Sequence, residues 1–227
     1  MVQRDYILRA IEQFGEFWSA LIHLKAHQQY QEARALLDQT LQRSLGLNAA
    51  ALANLPAEEL IALIRLGHSQ RLGSAVLTDR LTVLALMLRE EADLLAAQRD
   101  HEASDDRALK ALQVALTVAL GGSEATPRVV EMIPTLEEQL ARYDLPTTVK
   151  DQLWQHYGHA GQFAKAEDWL FALLDDEHAP PDTAARGLTF YNHLQAKGDA
   201  ELAAGNLPRE EVAASQAELR ALIAAGE

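Results

Sequence analysis

The chain has 227 residues, and its 33 acidic residues against 20 basic ones give a formal net charge of −13. Nucleic-acid binding depends on neutralising phosphates with lysine and arginine, so this balance disfavours a nucleic-acid partner, and it equally disfavours an anionic membrane surface. Cysteine is absent, which excludes disulfides and thiolate metal sites.

The first residues of the chain do not resemble a secretory signal. Arg4, Asp5 and Arg9 stand where a signal peptide needs an apolar core. The most apolar run, residues 81–88, is far shorter than the roughly 20 residues that span a bilayer. The sequence therefore predicts a soluble cytoplasmic protein without a membrane segment.

Helix-forming residues dominate the chain, and no stretch combines β-branched enrichment with two-residue alternation. The predicted fold class is all-α, with about 9–10 helices paired into antiparallel hairpins. Residues 1–227 are predicted to form a single helical domain. A sub-boundary is expected at residues 121–126, where two glycines stop a helix, between N-terminal hairpins (1–122) and a C-terminal half (126–227).

The first predicted helix covers about residues 5–25 and carries an apolar stripe that is wider than one helical face. Phe14, Phe17 and Trp18 belong to this stripe. Aromatic residues at helical spacing are typical of a core, but their excess over one face also predicts packing on a second copy, as in a homodimer. A second helix, which ends near Gly46, completes the first hairpin.

The middle of the chain is predicted to hold further helices. Pro56 and the acids after it open a short helix that stops at Gly67. A long helix follows over about residues 78–99, and Ser104 is expected to cap the next one. Pro134 is expected to kink or break the helix after that.

The clearest hairpin lies at residues 153–174, where two amphipathic helices flank a tight turn at Gly161. Tyr157 belongs to the apolar stripe of the first helix, and Phe163 and Ala166 begin the stripe of the second. Because alanine is small, Ala166 is predicted to lie where the two helices approach most closely.

Three of these hairpins resemble divergent tetratricopeptide units. The second helix of such a unit carries a glycine, an aromatic residue two positions later and an alanine three after that, as at Gly161, Phe163 and Ala166. Tyr30 and Ala33 match in the first hairpin. The matching alanines do not follow the family period of about 34 residues, so tandem units are not indicated. The resemblance implies hairpins stacked in an α–α superhelix, and an irregular bundle is the alternative.

Residues 4–13 and the segment Leu207–Val212 resemble an uncharacterised bacterial family of whole-chain helical proteins, a domain of unknown function. With residues 163–174 between them, the likeness covers the full length. It implies an all-helical fold and supplies no activity, so no catalytic residue is carried over.

Two histidine pairs have the spacing of a metal-binding helix face. His23 and His27 are four residues apart, and His156 and His159 are three apart. No HExxH motif occurs, and no third ligand is evident. Polar residues beside a hairpin turn explain the first pair, and surface or groove positions explain the second.

No phosphate-binding loop, nucleophile elbow or Rossmann fingerprint is present, so no catalytic residue, cofactor or metal site is assigned. The leading hypothesis is a non-enzymatic scaffold that binds a protein or peptide partner. By the tetratricopeptide resemblance, Asp151, Gln155 and His159 face its groove. The alternative is a metal-binding or hydrolytic helical bundle that uses the histidines and the acid clusters at residues 90–93 and 175–177.

Overall fold

The computed structural model describes residues 15–67, 74–122 and 127–226, which form twelve helices and, within these ranges, no strand. The all-α prediction is confirmed. None of the described helices combines the length and the apolar composition needed to cross a bilayer. The first helix, α1, covers residues 15–26. The others are α2 (Tyr30–Leu45), α3 (Ala49–Asn54), α4 (Ala57–Leu66), α5 (Ser74–Ala97), α6 (His101–Leu120), α7 (Pro127–Leu140), α8 (Thr147–His159), α9 (Phe163–Leu174), α10 (Thr183–Gln195), α11 (Asp199–Ala204) and α12 (Arg209–Gly226).

The chain divides into two compact units, Met1–Arg142 and Tyr143–Glu227. The sub-boundary predicted at residues 121–126 falls inside the first of them. Helix α7, which follows that position, packs on α6 and buries Val129 and Ile133 completely, so its apolar face belongs to the first unit.

The core of the first unit is built around the α5–α6 hairpin. The two helices pack along their length, and α2, α4 and α7 pack on them. Leu84 and Leu88 from α5 and Leu112 and Leu116 from α6 are fully buried. Since burying a leucine side chain stabilises a fold by about 1.5–3 kcal/mol, this hairpin supplies a large share of the unit's stability.

A buried ion pair also links α5 to α6. Arg107 Nε donates to Glu91 Oε2 at 3.1 Å, and burial raises the pKa of the Glu91 carboxyl while the arginine opposes that rise. One turn further along α6, Lys110 Nζ donates to the carbonyl oxygens of Leu52 at 2.9 Å and Ala53 at 3.2 Å. Lys110 therefore satisfies backbone acceptors at the end of α3, where the helix dipole favours a cation.

Two local predictions for this unit need correction. Of the kink or break predicted at Pro134, the break does not occur, because α7 continues through the proline. The proline is exposed, while its neighbour Ile133 is fully buried and holds the helix in place. Ser104 does not cap α6 either, since Asp100 is the N-cap residue and Ser104 Oγ donates to the Ala92 carbonyl oxygen at 2.9 Å.

The helices of the second unit follow one another as α8–α9 and α10–α11, which we call pairs by their order in the chain, and then α12; α9 packs on α8, whereas α10 packs chiefly on α12. Both helices of the second pair begin 36 residues after their counterparts in the first, and each pair is joined by three residues. The predicted turn at Gly161 is present with φ of +73°, and Ala166 is fully buried in α9, which packs on α8.

Glycines allow close packing at two points in this unit. A Cβ atom on Gly205 would overlap the ring of Phe163 and lie 2.6 Å from the carbonyl oxygen of Gly161. A Cβ atom on Gly187 in α10 would lie 2.8 Å from Leu219 Cδ2 in α12. Both distances are shorter than real Cβ contacts, so a larger residue at 205 displaces the Gly161 turn or the Phe163 ring, and one at 187 requires the leucine side chains around it to move.

Polar side chains also join α10 to α12. Gln216 on α12 is only 2% exposed. Its Nε2 donates to Asn192 Oδ1 at 2.8 Å, and its Oε1 accepts from Gln195 Nε2 at 2.6 Å. A buried amide that loses such partners is costly, so these bonds favour one arrangement of the two helices.

Candidate functional site

An open cleft of about 690 Å³ lies along α8 and α10 in the second unit, and we name it the α8–α10 groove. Its aromatic lining residues are Trp154, Phe163 and Phe190, of which Trp154 and Phe163 are buried and Phe190 is half-buried. Its ionisable and amide lining residues are Gln155, His159, Arg186, His193 and Lys197.

Helical periodicity brings the groove residues of α10 together. Arg186, Phe190 and His193 are separated by four and then three positions, and Lys197 follows four positions later, just past the helix end. Residues at these spacings lie along one face of a helix. From α8, the ring of Trp154 meets that of Phe190 edge to face, with the ring centres 6.1 Å apart.

Two contacts hold Arg186 in the groove. Its guanidinium carbon lies 4.9 Å from the centre of the Trp154 ring, a cation–π distance. Its Nη2 donates to Asp151 Oδ1 at 2.5 Å, and Gln155 Nε2 donates to Asp151 Oδ2 at 2.9 Å. Both oxygens of Asp151 are therefore engaged, which fixes the carboxylate that orients Arg186.

Lys197 lies at the other end of the groove. Its Nζ is 5.4 Å from the centre of the Phe163 ring and forms an ion pair with the exposed Glu201. Among the described residues that line the groove, none carries a carboxylate. The charged lining residues are therefore cations in a chain that is strongly acidic as a whole, and each cation is paired with a carboxylate beside the groove.

A second open cleft in this unit, of about 750 Å³, lies where the start of α8 meets the loop after α9. Lys150 is buried at its edge, with Nζ 2.7 Å from Asp144 Oδ1 and 2.8 Å from Asp176 Oδ2. Thr147 Oγ1 also donates to Asp176 Oδ2, at 3.0 Å. The lysine thus joins α8 to the loop after α9, as a structural cross-link.

The same contacts shift the pKa values of both groups. Hydrogen bonds from Lys150, from the backbone N–H of His178 and from Thr147 lower the pKa of Asp176 to about 2. Burial alone lowers the pKa of Lys150, but its hydrogen bonds to Asp144 and Asp176 outweigh that effect and raise the pKa above its ordinary value. The ion pair is therefore charged over the whole neutral range.

The structure places the three predicted groove residues beside one another. Gln155 and His159 line the α8–α10 groove, and Asp151 adjoins it through its bond to Arg186. Sequence reasoning missed the α10 side, including Phe190 and Lys197. The four–three–four spacing along α10 was the available signal, but it does not show which neighbouring helix that face meets.

The two histidine pairs differ in environment. His23 and His27 are exposed, with ring centres 4.2 Å apart. His156 is buried, and its pKa is lowered by burial and by the nearby His159, which is exposed. The described residues contain no group of three or more His, Cys, Asp or Glu side chains placed to hold a metal ion.

The aromatic residues predicted to face a second copy do not share one environment. Phe17 is 6% exposed and belongs to the core of the first unit. Trp18 is half-buried, and the guanidinium of Arg128 lies 4.3 Å from its ring centre. Phe14 lies outside the described residues. Ile22 is 66% exposed, and the homodimer stays a prediction.

The chain belongs to a family of unknown function, DUF6483, whose family model matches residues 1–223. The predicted membership in a whole-chain family of unknown function is thereby confirmed. No curated protein and no solved structure matches the chain. The family description assigns no activity, so a function has to be argued from the geometry of the units themselves.

Proposed function

We propose that this protein is a non-enzymatic helical scaffold that binds a protein or peptide partner in the α8–α10 groove. One observation carries the proposal: the groove lies along the first helices of two successive helix pairs. In arrays of stacked helix pairs, the extended binding surface is formed by equivalent helices of neighbouring repeats.

A tetratricopeptide-like arrangement of the second unit is part of this proposal. The 36-residue spacing of its helix pairs is close to the period of about 34 residues in such repeats. Gly161, Phe163 and Ala166 occupy the positions that the resemblance requires. Helix α12 packs on α10 after the second pair, as a terminal helix that covers the end of a repeat array does.

The form of the groove favours an extended segment over a compact small molecule. Small-molecule sites enclose most of their ligand's surface, whereas this cleft is open along its length. Its α10 side, from Arg186 to Lys197, corresponds to about 16 Å at a rise of 1.5 Å per residue. An extended chain of several residues matches that length.

Selection of a displayed random peptide library on the full-length protein tests the proposal. Peptides that bind in the groove should bind roughly tenfold more weakly to Gln155→Ala or His159→Ala variants, because each variant removes a polar contact at the lining. The midpoint of thermal unfolding should change little, since His159 is exposed and Gln155 is only partly buried.

His101→Ala is the matched control, because His101 is an exposed helical histidine of the first unit. It should change neither binding nor unfolding. A parallel loss of stability and of peptide binding in the groove variants, or selected peptides that ignore both substitutions, would contradict the proposed binding surface.

A further inference from the structure

We infer that the segment bound in the α8–α10 groove is an acidic peptide with two carboxylate side chains about five residues apart and an apolar side chain between them. The inference rests on the proposed function and adds the chemistry of the occupant. It is carried by the positions of two cations, by the lack of acidic side chains among the described lining residues and by the half-buried ring of Phe190 between the cations.

The ionic side chains that line the groove are cations, and each is paired with one carboxylate from beside the groove, Arg186 with Asp151 and Lys197 with Glu201. Arg186 and Lys197 line it together with two histidines, and no described lining residue is acidic, although the chain carries a net charge of −13. Complementary potentials steer association and select partners. A partner with negative charge at the same two positions fits this lining, whereas a basic segment meets repulsion there.

Arg186 is oriented to bind a carboxylate. Its Nη2 is engaged by Asp151 and its planar group is stacked on Trp154. A guanidinium has five N–H donors, so donors remain for a second carboxylate, and its planar fork matches carboxylate geometry. Because its side chain is already held in place, little conformational entropy is lost when a ligand binds.

Lys197 supplies the second cation. Its ion pair with Glu201 is exposed, with 33% and 55% of the two side chains accessible, and exposed pairs contribute little free energy. A partner carboxylate can therefore replace Glu201 at small cost. Arg186 and Lys197 are eleven positions apart, and Lys197 lies just past the end of α10, so at the helical rise their backbone positions are separated by about 16 Å, which about five residues of an extended peptide span.

An apolar anchor fits between the two cations. Phe190 lies between them along α10 and is only half-buried, while its partner ring on Trp154 is 5% exposed. A ligand side chain that covers Phe190 removes this remaining apolar surface from water. The position of Phe190, four residues after Arg186, places that anchor in the first half of the five-residue span.

Fluorescence anisotropy with the full-length protein tests the inference. The probe is a labelled synthetic peptide of glycine and serine with two glutamates five residues apart and one phenylalanine between them. It should bind at least roughly tenfold more tightly than the same peptide with both glutamates replaced by glutamine, and a lysine version should bind more weakly still. Added salt should weaken only the glutamate peptide.

Two variants assign the effect to the groove. Arg186→Gln and Lys197→Gln should each weaken the glutamate peptide by roughly tenfold and leave the glutamine peptide unchanged. Arg220→Gln, an exposed arginine on α12 outside the groove, should change neither. If Arg186→Gln lowers the unfolding midpoint, the Lys197→Gln variant still tests the inference. Lys197 lies beyond the last residue of α10, so its substitution should not disturb that helix.

Four results would overturn the inference. Equal binding of all three peptides, lost in Phe190→Ala, would remove the charge preference and leave the groove as a binding surface. If the glutamate peptide does not bind while library-selected peptides bind in the groove, the charge preference is likewise removed and the groove remains a binding surface. A dimer that Arg186→Gln dissociates would show that the occupant is a second copy of the chain. Absence of all peptide binding would remove the proposed function as well.

Discussion

Asp176 shows how a single side chain of the second unit connects stability to pH. It accepts hydrogen bonds from Lys150 and Thr147 through one oxygen and from the backbone N–H of His178 through the other. All of these bonds require or favour the ionised carboxylate. The residue joins α8 to the loop after α9, so its protonation weakens a connection between elements.

The acid stability of the protein should therefore depend on Asp176. Its pKa falls from 3.8 to about 2 on folding, so its contribution is complete above pH 3.8 and is lost as the pH falls through about 2. Asp176→Asn should remove this part of the pH dependence, which urea unfolding midpoints measured across that interval will show. Asp168→Asn, an exposed aspartate of α9, is the control and should retain it. An unchanged profile in Asp176→Asn would contradict the assignment.

At the scale of helices, local sequence signals predicted most of the helices. They failed where tertiary packing determines whether a helix continues. Periodicity and glycine stops placed the ends of α2 at Gly46 and of α4 at Gly67. Helices α3 and α11 were missed, because six residues are too short to show an apolar stripe. The continuity of α7 through Pro134 was missed because it depends on the buried face that α7 packs on α6.

The residues of the candidate site were also predicted only where they depend on one helix. Gln155 and His159 were predicted because the tetratricopeptide resemblance assigns roles within one helix. The contribution of Arg186 and Phe190 was not predicted, because it depends on which helix α10 packs beside. The 36-residue spacing that supports this pairing was hidden, since Asp199 stands where the second pair would need the counterpart of Phe163.

Two glycine substitutions should have opposite effects on the helices of the second unit. Gly205→Ala should destabilise the protein by about 1–3 kcal/mol, because its Cβ atom meets the Phe163 ring and the backbone of Gly161. Gly158→Ala should stabilise it by up to about 1 kcal/mol, since alanine favours the helix and its Cβ atom would lie 3.6 Å from Phe190, an ordinary contact. Denaturant unfolding measures both. Equal effects of the two substitutions would contradict the packing described for Gly205.

At the scale of the whole molecule, charge and packing are both distributed unevenly. The net charge of −13 describes the chain, yet the groove lining is cationic. The second unit also closes a core of its own, in which Tyr157, Leu170, Tyr191 and Leu219 are fully buried. A unit with its own apolar core meets the basic requirement for folding alone.

The fragment Tyr143–Glu227 should therefore be helical and unfold cooperatively in isolation, as circular dichroism during urea titration will show. A shorter fragment, residues 143–204, lacks α12 and leaves Gly187 and Tyr191 without the helix that packs on α10. It should lose cooperative unfolding. A non-cooperative longer fragment would show that the second unit needs the rest of the chain.

The buried amide of Gln216 also helps to fix which way α10 faces. Successive residues of an α-helix are turned by about 100° around its axis, so rotating α10 by a single position would carry Arg186 and Phe190 away from the groove. Gln216 donates to Asn192 and accepts from Gln195, and these two bonds favour the observed rotational setting of α10. A side chain that lies outside the groove therefore selects the residues that line it.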